Sequence, residues 1–191
     1  MTTVPDGRTR CRWAEGSEAL RAYHDAEWGV PLHGDIRLFE MLTLEGAQAG
    51  LSWQTVLVRR ALYREAYHCF DIQRVAAMQD AELESLLTGS GLIRNRLKIY
   101  SVRKNAVAVL RIAEEIGSLD AYLWSFVDGA PICNRWIHHG EVPANTATSD
   151  RMSRDLKRRG MSFVGSTICY AFMQGTGMVN DHATDCFRHG L

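Results

Sequence analysis

The sequence predicts an all-α fold, and three observations carry that reading. Apolar residues recur at three- and four-residue steps in one segment after another. Strict alternation of apolar and polar residues never lasts beyond a few positions. A Ser or Asp stands ahead of most of the periodic segments, where a helix N-cap is needed. At 191 residues the chain can bury a core as one domain without a disulfide framework.

The elements follow in order. From the cap Ser17, the residues Leu20, Tyr23, His24 and the Glu27/Trp28 pair form one helical stripe, which Gly29-Val30-Pro31 ends. Residues 36–44 continue the pattern through Leu38, Phe39, Met41 and Leu42, and run into Glu45-Gly-Ala-Gln-Ala-Gly50. Ser52 caps a helix over 53–63, with Trp53, Val56, Leu57 and Arg60 on one face. Asp71 caps 72–78. Asp80 caps 81–88, where Leu83, Leu86 and Leu87 turn inward and Glu82 and Glu84 lie near the positive helix end. Residues 96–116 form a long helix along which Leu97, Tyr100, Val107, Leu110 and Ala113 recur, and Ser118 caps a further helix over 119–127. Residues 128–147 have no period and hold two Pro and two Gly, so they read as loop. Ser149 caps 150–159, closed by Gly160, and 166–174 is apolar nearly all round, as a buried central helix is. The count is roughly eight to ten helices.

Composition narrows the function classes. Lys and Arg total 22 and so do Asp and Glu, which excludes a globally basic nucleic-acid binder and leaves only a local basic face. Hydrophobic residues at 46% and charged ones at 23% exclude a disordered or low-complexity chain. The first ten residues are polar and read as a disordered extension, with 11–191 as the single domain. No apolar signal core and no membrane-length apolar run is present, which points to a cytoplasmic protein. Five cysteines in such a chain suggest thiols or metal ligands before disulfides.

Three constellations can carry chemistry, and each keeps a plainer reading. His182-Ala-Thr-Asp-Cys186 puts a His and a Cys on one face of a helical turn, half of a tetrahedral Cys/His metal site, and Cys11 with His24 can supply the other half. Spacing alone favours the plainer reading, a surface histidine and a free thiol near the terminus. Gly89-Ser-Gly91-Leu-Ile-Arg94-Asn-Arg96-Leu-Lys98 joins two helices as a helix-hairpin-helix does, with glycine amides and a helix start able to meet a phosphate. Any αα-hairpin also needs a glycine turn. Trp13, Tyr23, Trp28, Glu45 and Trp53 bring aromatics together with a carboxylate set between Leu44 and Gly46. A poorly solvated carboxylate must be paired, protonated or used on a ligand. The plainer reading there is core aromatics with Glu45 at their rim.

Taken together, the motifs resemble the bacterial 3-methyladenine DNA glycosylase I family. The resemblance runs through Cys11-x-Trp13, Tyr23-His24-Asp-Ala-Glu27-Trp28-Gly29-Val30-Pro31, Leu44-Glu45-Gly46-x-Gln48-Ala49-Gly50-Leu51-Ser52-Trp53, the hairpin 91–99, Lys157-Arg-Arg-Gly160, Thr167-Ile-Cys-Tyr170-x-Phe172-Met173-Gln174 and Val179-Asn180-Asp181-His182-x-x-x-Cys186. It implies an all-α helix-hairpin-helix glycosylase bundle in which one structural Zn2+, bound by Cys11, His24, His182 and Cys186, joins the N- and C-terminal segments. It implies a base pocket of Trp13, Tyr23, Glu45 and Trp53, with Trp28 in the same motif and Glu45 as the catalytic residue. Leu20 stands where some relatives carry an additional Tyr. DNA contact falls to Gly91, Arg94 and Lys98. The implied partner is double-stranded DNA containing alkylated bases, acted on by a monomer that releases free 3-methyladenine. No Lys is placed to form a Schiff base with the sugar, which implies a monofunctional enzyme, and Asp120 is the nearby Asp after the hairpin. The alternative is a non-catalytic, zinc-stapled DNA-binding module, which would need no pocket. A zinc hydrolase would need an open coordination position that four protein ligands do not leave.

Overall fold

The computed structural model describes residues 7–190. Most of the expected disordered extension, residues 1–6, lies outside the described residues. Thr9 and Arg10 belong to the body instead. The Phe187 N–H donates to the Thr9 carbonyl at 3.0 Å, and Arg10 pairs with Asp25 at 2.7 Å. The packed part therefore starts ahead of Cys11.

The described residues hold ten α-helices: α1 (Glu18–Ala26), α2 (Asp35–Gln48), α3 (Trp53–Leu57), α4 (Arg60–Ala66), α5 (Ile72–Ala77), α6 (Asp80–Ser85), α7 (Arg96–Ile116), α8 (Leu119–Trp124), α9 (Ala147–Arg158) and α10 (Ser166–Gly175). The caps at Ser17, Ser52, Asp71 and Ser118 form as expected, each side chain accepting from the N–H three residues on. Asn95 does the same for α7.

Several expectations need correction. The helix read over 53–63 is broken: Arg59 (φ −104°, ψ 3°) turns the chain. Its guanidinium donates to the Thr55 carbonyl at 2.7 Å, satisfying an end of α3. Asp80 lies inside α6 and does not cap it. The Glu82 carboxylate accepts the Gln79 N–H at 2.7 Å, so the helix starts one residue early. Thr146, rather than Ser149, caps α9. The Thr146 N–H donates to Ser149 Oγ at 2.9 Å and the Ser149 N–H to Thr146 Oγ1 at 3.3 Å, a reciprocal box with Ser in the place usually held by Glu. On α7 the buried face is Ile99, Val102, Ala106, Val109 and Ile112, while Leu97 is 73% exposed. The recurring residues expected there mark the flank of that face. Its centre is obscured in sequence because Asn105, a polar residue, is buried in it, exchanging two hydrogen bonds with the backbone of Ser162.

The segment 128–147, expected as loop, also holds a strand. β1 (Ile132–Cys133) pairs in parallel with β2 (Val179–Asn180), Ile132 opposite Val179 and Cys133 opposite Asn180. Two residues are too few to print an alternating pattern.

The core centres on α2 and α10, which pack on each other, with α9 against α10, and α5 and α8 against α7. Every residue of α2 from Leu38 to Ala47 is buried. Past α10 the chain returns to the N-terminal segment through a close backbone crossing. Gly177 has φ +68°, and a Cβ there would stand 2.3 Å from the Val30 carbonyl carbon. Only glycine fits, and the crossing is fixed by Gly29 N–H to Gln174 C=O and Leu32 N–H to Thr176 C=O, both 2.9 Å. That crossing brings the α1 end of the chain against the residues after β2.

Candidate active site and metal centre

The two ends of the chain meet in a buried cluster of Cys11, His24, His182 and Cys186. Their candidate ligand atoms all lie within 4.8 Å of one another. Cys186 Sγ stands 3.4 Å from both His24 Nε2 and His182 Nδ1, and Cys11 Sγ 3.6 Å from His182 Nδ1. Tetrahedral coordination with Zn–S of about 2.3 Å and Zn–N of about 2.0–2.1 Å places S and N about 3.5 Å apart, so the cluster has the dimensions of such a site. The imidazoles are set for it. His24 Nδ1 faces Asp25 Oδ1 at 2.8 Å and His182 Nε2 faces the Trp28 carbonyl at 3.0 Å. Each of those partners accepts an N–H, which leaves the other ring nitrogen, the one in the cluster, with its lone pair. Burial raises the Asp25 carboxyl, but hydrogen bonds from Arg10 and His24 outweigh it and hold the carboxyl below its ordinary range. Cys186 is favoured as thiolate, first by the Cys11 thiol that donates to it and then by the two histidines. Donor set, spacing and tautomers all fit a metal ion.

A cavity of about 370 Å3 adjoins the cluster. Trp13, Tyr23, Trp28, Glu45 and Trp53 line it, so the structure brings all five expected pocket residues together. Leu20 is also in the wall, as are Gln48, Ala171 and Gln174. The cluster and the cavity share aromatic walls. Trp13 packs edge-on to Trp28 (5.1 Å) and to His24 (5.3 Å), and Trp28 edge-on to His182 (4.5 Å). On the other side Tyr23 meets Trp53 at 5.2 Å. Glu45 comes from the last turns of α2 and is only 4% exposed. Its Oε2, the Tyr23 hydroxyl and Trp53 Nε1 are buried without a hydrogen-bond partner among the described residues. Burial pushes the Glu45 carboxyl up to about 8, against a weaker pull downward from Arg60. Gly175 makes room for this group, since a Cβ there would lie 2.9 Å from the Tyr23 hydroxyl and 3.4 Å from Glu45 Oε1. Three unsatisfied polar atoms in an aromatic pocket are costly unless a ligand with complementary polar groups fills it.

Residues 13–189 match the methyladenine glycosylase family. The chain belongs to this family. It is 46% identical over 177 residues to DNA-3-methyladenine glycosylase 1 of Escherichia coli (strain K12), covering 93% of this chain and 95% of that one. A crystal structure of a 3-methyladenine DNA glycosylase I superposes with a TM-score of 0.92 at 48% identity, over 95% of this chain and all of that chain. A structure of the Staphylococcus aureus 3-methyladenine DNA glycosylase I, solved to explain 3-methyladenine recognition, gives 0.90 at 32% identity, over 93% and 94% of the two chains. The all-α class and the helix-hairpin-helix glycosylase bundle hold.

The hairpin of this glycosylase fold departs from the sequence reading at one residue. Gly91 takes φ +70° in the turn, and Arg94 is exposed with no hydrogen bond or ion pair among the described residues. Lys98 is engaged elsewhere. Its Nζ donates to the carbonyls of Ala47 (2.8 Å) and Ala49 (2.6 Å), the free acceptors at the C-terminal end of α2. It holds the helix that carries Glu45, a function invisible in sequence because the partner lies 51 positions away. Asp120 is no part of the cavity wall. It accepts from Gly34 N–H at 2.5 Å and from His33 at 2.9 Å. The sequence reading also missed Arg60. It pairs with Glu27 at 2.6 Å, lies 5.8 Å from the Tyr23 ring centre and is, among the described residues, the cation that acts on Glu45.

The Glu45 carboxyl gives a pH signature. A carboxyl whose folded value lies above its unfolded one binds its proton more tightly in the folded state, so its favourable contribution is full below about 4.5 and is lost by about 8. Glu45→Gln cannot ionise and is expected to be about as stable as the wild type at pH 5. At pH 8 it should be more stable by on the order of 2 kcal/mol, less than the full shift because ligand-free pockets admit water. Urea melts of both proteins between pH 5 and 8 check this, and parallel curves would contradict it.

Proposed function

We propose that this protein is a monofunctional DNA glycosylase that removes N3-methyladenine from alkylated double-stranded DNA, acting as a cytoplasmic monomer with one structural zinc. The observation that carries the reading is the buried Glu45 carboxyl, its Oε2 unpartnered, in an aromatic cavity of about 370 Å3. The names of the relatives, all 3-methyladenine glycosylases, support it.

The chemistry follows from charge. N3-methylated adenine in DNA is a cation and already a good leaving group. Flipping it out of the helix costs a few kcal/mol, and stacking on an aromatic is worth about 1–3 kcal/mol per contact, so Trp13 and Trp53 can offset most of that cost. Ionising Glu45 in its pocket is unfavourable until a positive charge arrives. A cationic base supplies that charge, and neutral adenine does not. Glu45 then accepts a hydrogen bond from the exocyclic amine. The C1′–N9 bond breaks with its electron pair passing to the ring, which leaves as neutral 3-methyladenine. Water bonds to C1′ and gives its proton to solvent. No general acid on the base is required. Cys11, His24, His182 and Cys186 fill a tetrahedron, so the zinc would tie the chain ends together and hold the aromatic wall, and would take no part in the reaction. Phosphate contact falls to the Gly91 turn and Arg94.

Incubation with methylated DNA should release 3-methyladenine, identified by chromatography. Release of no base would overturn the reading. Glu45→Gln should lose on the order of 100-fold in excision rate while staying folded.

Arg94→Ala should flatten the salt dependence of DNA binding by about one unit of slope. Lys98→Ala should leave that slope alone and lower stability by about 1 kcal/mol through its lost carbonyl bonds. A binding titration from low to high salt separates the two.

Cys186→Ser should lower zinc content by elemental analysis and lower the melting temperature, with the folded fraction still excising base. Loss of all excision in a zinc-free, fully folded variant would make the metal part of the chemistry.

A further inference from the structure

Asp181 is 1% exposed, and four donors converge on it. Tyr170 Oη and Gln174 Nε2 donate to Oδ2 at 2.6 and 2.7 Å. Asn134 Nδ2 and Trp136 Nε1 both donate to Oδ1 at 2.7 Å. A carboxylate only accepts, so the Gln174 amide has one allowed orientation. A flip would set its carbonyl oxygen against a carboxylate oxygen at hydrogen-bond distance. Gln174 is half-buried in the wall of the base cavity. Its Oε1 has no hydrogen-bond partner among the described residues and is not sealed from solvent, so it is free to accept from a ligand in the cavity that the residue lines. The neighbouring α10 residues Ala171 and Gly175 bring no polar side chain, so Gln174 is the polar group that α10 gives to the pocket. Glu45 reaches the same cavity from α2, with Oε1 in contact range of the Gly175 position.

We propose that Gln174, locked by Asp181 with its carbonyl turned into the pocket, is a specificity-determining residue that accepts the second hydrogen of the base's exocyclic amine, Glu45 accepting the first. The inference rests on the functional reading above and deepens it. Two acceptors facing one position admit a purine with an amine at C6. They disfavour a 6-oxo purine, whose oxygen would face two acceptors at that position. Selection of adenine over guanine among N3-methylated bases is then built from a pair of acceptors, only one of which carries charge. Asp181 touches no base and is the positioning residue.

The test uses free bases and the quenching of pocket tryptophan fluorescence. Wild type, Gln174→Met and Gln174→Leu are titrated with 3-methyladenine and with 3-methylpurine, which keeps ring and methyl but lacks the amine. Losing one accepted hydrogen bond should weaken 3-methyladenine binding about tenfold in both variants. Binding of 3-methylpurine should stay within about twofold of wild type, because no amine contact is there to lose. Unchanged 3-methyladenine binding would overturn the assignment. Equal weakening for both bases would overturn it too, since that marks damage to the pocket rather than loss of an amine contact. Wild-type protein that binds neither base would overturn the functional reading itself.

Discussion

The buried meeting of two thiols and two imidazoles is the constraint on which the pocket depends. Cys11 and His24 come from the first turns of the chain and His182 and Cys186 from its last, and 4.8 Å encloses their ligand atoms. Trp13 and Trp28 are packed edge-on against the two imidazole rings. Half of the aromatic wall is thus an extension of the cluster. Joining segments so far apart closes a loop of nearly the whole domain and anchors ends that would otherwise fray. The backbone crossing at Gly177 and Val30 is the second fastening of the same two segments, and it tolerates no side chain.

The pocket opposes the usual direction of folding energetics. A carboxyl, a phenol hydroxyl and an indole N–H are buried without partners within one cavity, each costing stability in the ligand-free protein. The surrounding structure over-determines their positions. Lys98 fixes the end of α2 that carries Glu45, Gly175 leaves space for Glu45 and Tyr23 to approach, and Arg60 supplies one moderating charge, itself neutralised by Glu27. The result is a site whose buried carboxyl is most nearly satisfied by a flat cation bearing a hydrogen-bond donor, while the Trp53 N–H needs an acceptor on the same ligand. Binding energy is then concentrated on the feature that separates a methylated base from a normal one.

The network around Asp181 ties three regions into one. Gln174 belongs to the pocket, His182 is the next residue in the chain and belongs to the cluster, and Asn134 and Trp136 come from the segment between α8 and α9. A single buried acceptor with four donors gives that segment a fixed place where its sequence has no periodic pattern to fix it.

How much of this was legible in the sequence divides by range. Local signals were sound wherever the physics is local. Ser17, Ser52, Asp71 and Ser118 cap the helices they precede, and the bounds of α7 follow from its pattern. The ordered motifs from Cys11 to Cys186 sufficed to name the family, the four cluster residues and the five aromatic and acidic residues of the cavity. Sequence failed where a partner lies far along the chain or a competing local bond wins. The guanidinium of Arg59 breaks a helix that the apolar spacing continued, and Asn105 hides the buried face of α7. A lysine beside a hairpin looks like a phosphate ligand until the fold sets two α2 carbonyls against it. The orientation of the Gln174 amide is the extreme case. No property of residue 174 itself selects it, and it is decided by an acceptor that only tertiary structure brings within 2.7 Å.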